Sequence, residues 1–191
     1  MIIVLASKSP RRRQLIESLG WPAECVDCNA DEHVDPNLPV SQVAETIARK
    51  KAAAVDTAAL GSDRMLVTAD TIVALDGQVL GKPADRDAAV AMLRSLSGRR
   101  HEVYTGVCLV WQGRTTSFTE RTDVVFRPLT DSEIEHYVDT CHPFDKAGAY
   151  GIQEWIGMVG ISRIEGCYYN VMGFPTARIY TEILRLTSDK F

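Results

Sequence analysis

Residues 66–75 form an apolar, β-branched run with a single carboxylate, Asp70, near its centre. This composition over this length predicts a buried strand, or two strands joined by a bend. An ionised carboxylate inside such a run is costly unless a cation or hydrogen-bond donors meet it. Asp70 is therefore a candidate site residue. A strand-end aspartate that binds backbone amides in a turn is the alternative interpretation.

The residues that follow this run predict a hairpin. Asp76-Gly77 is a type I′ turn pair, and residues 78–83 return along the partner strand. The return can bring the Lys82 ammonium back towards the Asp70 carboxylate, which suggests a phosphate or metal site. A solvated Lys82 is the alternative.

Length and composition predict one globular domain without nucleic-acid or membrane partners. The 191-residue chain is 46% hydrophobic, which suffices for a proper core. A formal net charge of −4 and an isoelectric point near 5.6 argue against a general nucleic-acid binder, so any anion site is local. No apolar run reaches the roughly 20 residues that span a bilayer. Residues 1–6 carry no basic leader, and we expect a cytoplasmic protein.

The cysteines and histidines do not form a metal-site pattern. Five scattered cysteines are an odd set that predicts no disulfide framework. Cys25 and Cys28 have the spacing of a metal or redox pair, but no second close pair supplies the remaining ligands. The four histidines lack i, i+4 ligand spacing.

The N-terminal residues predict a strand followed by a helix with an anion site at its start. Residues 1–6 are strand-like, and Ser9-Pro10 supplies an N-cap and a first helical residue. Arg11 and Arg12 then lie in the first turn, where cations oppose the helix dipole. A bound anion would explain them, with the free N–H groups, the guanidinium groups and the Ser7 hydroxyl as donors. A solvated basic cluster is the alternative.

Two further segments add charged candidates. Residues 30–33 form an acidic loop that contains Glu32. A helix is predicted over residues 41–61, and Lys51 follows Ile47 by one helical turn. Lys51 therefore lies towards the apolar side of this helix, where its long side chain can reach a phosphate.

Alternation, caps and turn residues predict the remaining elements. These are a capped helix over 85–98, a hairpin of strands 103–111 and 115–126, a helix after a capping box at 130–133, strands at 161–164 and 168–172, and a last helix from 175 to about 186. The glycine-rich segment 145–153 allows close backbone approach to a ligand, although an ordinary loop fits it too. Mixed helices and hairpins predict an α/β or α+β fold on a long mixed sheet.

One apparent phosphate loop fails on its spacing. Residues 77–83 are one residue short of the glycine-rich phosphate loop, and Pro83 stands where a hydroxyl would bind magnesium. The dinucleotide-binding glycine fingerprint and the nucleophile elbow are both missing from the sequence. A dinucleotide enzyme and a serine hydrolase are therefore unsupported.

Six short motifs, kept in order along nearly the whole chain, closely resemble those of the Maf family of nucleotide pyrophosphatases. They lie at residues 5–12 (LASKSPRR), 69–71 (ADT), 81–83 (GKP), 96–98 (LSG), 101–106 (HEVYTG) and 145–153 (DKAGAYGIQ). The last motif is similar to that of the subfamily acting on dTTP and UTP. Glu154-Trp155 departs from the glycine-rich residues that usually follow the glutamine.

The resemblance implies a single Maf-like domain over residues 1–191. It further implies a long curved mixed sheet with flanking helices and a cleft between two lobes, related to inosine-triphosphate pyrophosphatases. It makes Asp70 the catalytic base and assigns substrate choice to three side chains, Arg11, Thr71 and Gln153. The remaining cleft residues that it implies are Ser7, Arg12, Glu32, Lys51 and Lys82.

The implied activity is hydrolysis of dTTP or UTP, or a modified pyrimidine nucleotide, to the monophosphate and pyrophosphate. Cations neutralise the charge that spreads over the phosphates in such a reaction. Asp70 and Glu32 would hold Mg²⁺, with Mn²⁺ or Co²⁺ as alternatives, and orient a water for attack on the α-phosphorus. The sequence leaves open whether Asp70 accepts the proton or only binds metal.

Two other functions compete with this interpretation. A nucleotide-sensing protein that contacts cell-division partners without turnover would have no need of a base such as Asp70. Nucleic-acid binding through residues 11–13 is disfavoured by the acidic composition. The expected partner is a nucleoside triphosphate, and a homodimer is left open.

Overall fold

The computed structural model describes residues 1–187, and seven strands within them form a single sheet. In chain order the strands are β1 Ile2–Leu5, β2 Ala23–Cys25, β3 Arg64–Leu75, β4 Gln78–Leu80, β5 Arg100–Trp111, β6 Arg114–Phe126 and β7 Ile161–Glu165. The sheet order is β2-β1-β3-β5-β6-β7, and β4 pairs with β3. β1 runs parallel to β2 and β3, whereas the β3–β4 and β6–β7 pairs are antiparallel. The predicted mixed sheet is therefore confirmed.

Seven α-helices and three 3₁₀ turns accompany the sheet in the described residues. The helices are α1 Pro10–Ser18, α2 Val40–Ala53, α3 Arg86–Leu96, α4 Asp131–Cys141, α5 Trp155–Gly160, α6 Tyr168–Val171 and α7 Thr176–Thr187. The 3₁₀ turns are Thr57–Leu60, Pro143–Asp145 and Ala147–Ala149. No helix in this part of the chain is both long and apolar enough to cross a membrane.

The chain divides into two compact units. The first comprises residues 1–70, 105–120 and the residues from 173 onwards. One of its cores packs small side chains of α2 against β1, β3 and β5. Its buried members are Val4, Ala6, Ala48, Ala52, Leu66 and Cys108.

The second unit comprises residues 71–104 and 121–172. Its core packs α3 and α4 against strand residues and the segment around Tyr150. The largest fully buried side chains there include Leu93, Leu96, Phe126, Ile134 and Tyr137. β3, β5 and β6 each contribute residues to both units. The prediction of a single domain over the whole chain stays a prediction.

The hairpin turns have the backbone geometry that their sequences predict. Asp76 and Gly77 have φ values of 52° and 76°, and Gln112 and Gly113 have 48° and 77°. Positive φ at both central positions is the mark of a type I′ turn. Both turns therefore place the strands on either side in direct succession along the sheet.

Helix caps also follow the predictions. Pro10 begins α1, and Gly20 follows its end with φ of 94°. The Asp85 carboxylate accepts a hydrogen bond from the Ala88 N–H at 2.8 Å at the start of α3. α4 begins with the complete capping box of Thr130 and Glu133.

The helix predicted over residues 41–61 was too long. α2 ends at Ala53, and a separate 3₁₀ turn covers Thr57–Leu60. Asp56 causes the new start, because its side chain accepts a hydrogen bond from the Ala58 N–H at 3.1 Å. An aspartate that bonds a nearby backbone amide competes with continuation of a helix.

The strand predicted at residues 168–172 was wrong, because α6 occupies this position. Asn170 is fully buried, and its Nδ2 donates to Val103 O at 3.1 Å and to Thr122 Oγ1 at 3.0 Å. These long-range bonds fix a helical turn in a segment whose tyrosines and valine favour a strand.

Candidate active site

Asp70 lies in β3 and meets a cation, as its position in an apolar run requires. Lys51 Nζ is 2.7 Å from Asp70 Oδ1 and 2.9 Å from Glu32 Oε1. The Lys51 and Asp70 side chains are only 14% and 17% exposed, whereas that of Glu32 is 60% exposed. These three residues are called the Lys51 cluster below. An ion pair withdrawn from water in this way is screened far less than one at the surface.

The docking of α2 on β3 places Lys51 at Asp70. Thr68 Oγ1 donates to Ala48 O at 2.6 Å and fixes the helix against the strand. Thr68 and Asp70 are two residues apart and share one face of the strand. Ala48 and Lys51 are three residues apart and share one face of the helix. The Thr68–Ala48 hydrogen bond therefore brings Lys51 to Asp70 as well.

Glu32 reaches Lys51 because the loop before α2 is bound to the helix. Cys28 Sγ donates to Lys51 O at 3.2 Å. Lys50 Nζ donates to His33 O. These bonds on either side of Glu32 hold its carboxylate near the Lys51 ammonium, although the loop has no regular secondary structure.

Arg12 joins three segments of the first unit. Its Nε donates to Gly173 O at 2.9 Å, and its Nη1 donates to Ala69 O at 2.8 Å and to Ser7 Oγ at 3.2 Å. Burial lowers the pKa of the Arg12 guanidinium below its usual value, while the nearby Asp70 carboxylate raises it. The side chain predicted to bind phosphate thus also ties the start of α1 to the residue before Asp70.

Ser7 and Arg11 lie where the parallel pairing of β1 and β3 brings the first loop beside Asp70. Leu5 pairs with Val67, and Ala6 N donates to Val67 O at 3.1 Å. Ser7 Oγ accepts a hydrogen bond from Ser9 N at 3.2 Å. The loop after β1 is therefore ordered by its own serine. Arg11 is half-buried in the first turn of the helix that follows.

For Lys82 the sequence left open an approach to Asp70 or a solvated side chain. The Lys82 side chain is exposed, and the cation that contacts Asp70 in the first unit is Lys51. The hairpin itself is present, but β4 ends at Leu80, before the lysine. The boundary between the two units falls directly after Asp70, so Thr71, Lys82 and Gln153 belong to the second unit.

Within the second unit, the glycine-rich segment packs tightly on its neighbours. Gly148 has φ of 71°, and its N–H donates to Gly81 O at 3.1 Å. A Cβ at this position would lie 2.9 Å from a methyl carbon of Val73. Close packing therefore accounts for Gly148 in this motif.

Gln153 lies in a tight turn directly after this segment. Glu154 N donates to Gly151 O at 3.0 Å, so Ile152 and Gln153 are the central residues of the turn. Ile152 is buried in the core, while Gln153 is half-buried. Three polar residues around this turn, Tyr137, Lys146 and Glu154, were not among the predicted site residues. The sequence pointed to them only through Glu154, a charged residue where the family resemblance predicts glycine-rich residues.

The donor set of the Lys51 cluster fits a divalent cation. Glu32 and Asp70 supply carboxylate oxygens that converge on one ammonium. Mg²⁺ is commonly held by one or two carboxylates together with substrate phosphates. The described residues contain no group of three or more histidine, cysteine or acidic side chains that could hold a metal. Two carboxylates of this kind fit a cation whose remaining ligands come from water and a substrate phosphate.

A family model and two named relatives match this chain over nearly its whole length. The sequence profile of the family described as Maf-like protein matches residues 2–186. A protein of Bacteroides thetaiotaomicron named dTTP/UTP pyrophosphatase is 47% identical over 186 residues, covering 96% of this chain and 95% of its own. A protein of the same name from Carboxydothermus hydrogenoformans is 49% identical over 185 residues, covering 96% and 97%.

Among solved structures, the Staphylococcus aureus Ham1 protein matches with a TM-score of 0.48 and 15% identity. The match covers 66% of this chain and 72% of that one.

Replacement of Lys51 by methionine should destabilise the protein. Lys51→Met keeps much of the aliphatic volume but leaves two acidic groups without their shared ammonium, at a cost of about 1–3 kcal/mol in the free energy of unfolding. Urea denaturation measures this quantity. The matched control is Arg49→Met, an exposed cation on the same helix, which should change it by no more than about 0.5 kcal/mol. Equal effects of the two substitutions would show that the ion pair contributes no special stability.

Proposed function

We propose, from the premise that this chain belongs to the Maf-like protein family, that it is a nucleoside triphosphate pyrophosphatase acting on dTTP and UTP. Relatives at 47% and 49% identity carry this activity in their names. The structural observation that supports it most is the Lys51 cluster, in which two carboxylates and one ammonium meet at the end of a buried strand segment. That combination suits a reaction in which water attacks phosphorus while negative charge builds up on the leaving phosphate oxygens.

The reaction divides naturally among these groups. Water attacks the α-phosphorus, the bond from that phosphorus to the α–β bridging oxygen breaks, and pyrophosphate leaves with the electron pair. Asp70 accepts the proton of the attacking water. Lys51 keeps the Asp70 carboxylate in place and, with Arg11, Arg12 and Lys82, opposes the negative charge of the phosphates.

A divalent metal is part of this proposal, with Mg²⁺ as the first choice and Mn²⁺ or Co²⁺ as alternatives. Asp70 and Glu32 would hold it. When bound, such an ion lowers the pKa of a water ligand and neutralises phosphate charge. Glu32 is well suited to exchange between Lys51 and a cation, because it is the most exposed member of the cluster.

Base selection is assigned to Gln153, with Arg11 and Thr71 in supporting roles and Ser7 as a phosphate donor. A carboxamide offers one donor and one acceptor, which match O4 and N3–H of uracil or thymine. Cytosine presents the reverse pattern at these positions. Since a carboxamide can also flip, this predicts a preference over CTP and not complete exclusion.

The remaining parts of the proposal concern the setting of the enzyme. It acts on a free nucleotide in the cytoplasm, without nucleic-acid or membrane partners, and a homodimer is compatible with it. Nucleotide sensing without turnover is not favoured, because it does not account for the Asp70 carboxylate beside a second acidic group.

The test of the proposed activity is the product of UTP hydrolysis with Mg²⁺ present. The wild-type protein should release UMP and pyrophosphate, and Asp70→Asn should lower kcat at least about 100-fold, because the amide cannot accept the proton and is a weaker, uncharged metal ligand. The matched control is Asp76→Asn, at the exposed turn of the same strand, which should retain full activity. Chromatographic separation of the products provides the measurement.

Two results would overturn this assignment. Orthophosphate as the first product would show that the β–γ bond breaks and not the α–β bond. Retention of more than about a tenth of kcat by a folded Asp70→Asn variant, a loss of under ~1.4 kcal/mol, would remove Asp70 from the centre of the reaction.

Gln153→Ala should reduce kcat/KM for UTP and dTTP by roughly 1–3 kcal/mol and that for CTP much less. The reason is that the carboxamide pairs with the base edge that the first two nucleotides share. Steady-state kinetics with the three nucleotides provide the measurement, and Gln78→Ala, exposed in the same unit, is the control. If all three nucleotides lost equally, Gln153 would support the loop and base choice would lie elsewhere.

A further inference from the structure

Glu154 belongs to a largely buried polar network that the proposed chemistry does not use. Its Oε1 is 3.1 Å from Lys146 Nζ, and its Oε2 accepts a hydrogen bond from the Tyr137 hydroxyl. Lys146 also pairs with Asp145 at 2.7 Å. The Lys146 and Glu154 side chains are 9% and 23% exposed. Ionic hydrogen bonds in such surroundings are strong and directional, and the loss of one partner is costly.

The Tyr137 hydroxyl holds both ends of the turn that carries Gln153. It accepts a hydrogen bond from Gly151 N at 3.0 Å while it donates to Glu154. Burial raises the pKa of Tyr137 above its usual value, so the phenol stays a neutral donor. Residues 151 and 154 are thus fixed to one atom of α4, and the two residues between them have little freedom.

The Gln153 side chain lies against the same network. A Cβ built on Gly151 would lie 2.8 Å from the Glu154 carboxylate carbon and 2.9 Å from Gln153 Nε2. Both side chains therefore fold over the backbone of Gly151. Within the described part of the chain, the Gln153 carboxamide makes no hydrogen bond of its own. Its direction is set by packing, which leaves its donor and acceptor available to a ligand.

We propose that Glu154 is a positioning residue for base selection. It fixes the turn at residues 151–154, so that the Gln153 carboxamide presents its donor and acceptor in the orientation that suits uracil and thymine. The inference rests on the proposed function, because it assumes that Gln153 contacts the base. It goes beyond that function by assigning the preference over cytosine to a side chain that does not touch the nucleotide.

The experiment compares kcat/KM for UTP with that for CTP in four proteins. Glu154→Ala removes the carboxylate and should lower the UTP/CTP ratio about tenfold, since the turn loses one of its anchors. Glu154→Gln keeps an oxygen that accepts from Tyr137 but loses the ion pair with Lys146. Its UTP/CTP ratio should therefore lie between those of Glu154→Ala and the wild type. Asp139→Asn is the matched control. Asp139 lies on the same helix as Tyr137, and its carboxylate forms an exposed ion pair with Arg86. Its ratio should equal that of the wild type.

A double substitution separates positioning from general support of the fold. In the Gln153→Ala background, Glu154→Gln should leave the UTP/CTP ratio unchanged, because Glu154 acts only through that carboxamide. Equal losses for both nucleotides, or the same change of ratio with and without Gln153, would overturn the inference. If Glu154→Ala failed to fold in thermal melts, Glu154→Gln and Tyr137→Phe would decide by the same ratio.

The outcomes also distinguish this inference from the proposed function. A wild-type protein that hydrolyses neither nucleotide would overturn both. A wild-type protein that prefers UTP, with a ratio unaffected by Glu154→Gln and Glu154→Ala, would overturn the positioning role alone.

Discussion

The contact between Lys51 and Asp70 is the constraint on which the first unit depends. Without a cation, a carboxylate in the middle of an apolar strand would lose its water contacts without an interaction to compensate for them. The 2.7 Å ion pair offsets that cost and ties α2 to β3. The same ammonium gathers Glu32, so one lysine both stabilises the strand and assembles the two carboxylates proposed to hold a metal.

The second unit achieves order by different means. There the anchor is a neutral phenol, Tyr137, buried in the core and shared by two residues of one turn. The charged pair of Lys146 and Glu154 completes it. In the first unit the polar groups take part in the proposed chemistry. In the second unit they hold the turn that carries Gln153, the residue proposed to contact the base.

Much of this architecture was predictable because its signals are local. The type I′ turn at Asp76-Gly77, the capping box of Thr130 and Glu133, and the strand around Asp70 all follow from neighbouring residues. One other feature depends on a contact distant in sequence. Lys51 was a candidate, but its pairing with Asp70 rests on the docking of Thr68 on α2.

For Lys82 the hairpin left open an approach to Asp70 or a solvated side chain, and β4 ends at Leu80, before the lysine. Contacts distant in sequence also explain the wrong strand prediction. Residues 168–172 became a helix because Asn170 is bound by Val103 and Thr122, some 48 or more positions earlier. Such bonds leave no periodic pattern in the sequence, so strand propensity alone gave the wrong prediction.

The central claim is that water attacks the α-phosphorus of a pyrimidine nucleoside triphosphate. The most direct measurement is hydrolysis of UTP in water enriched in oxygen-18, followed by mass spectrometry of both products. Our account predicts one labelled oxygen in UMP and none in pyrophosphate, because the bridging oxygen leaves with the pyrophosphate. Label in pyrophosphate, with unlabelled UMP, would place the attack on the β-phosphorus and contradict the role proposed for the Lys51 cluster.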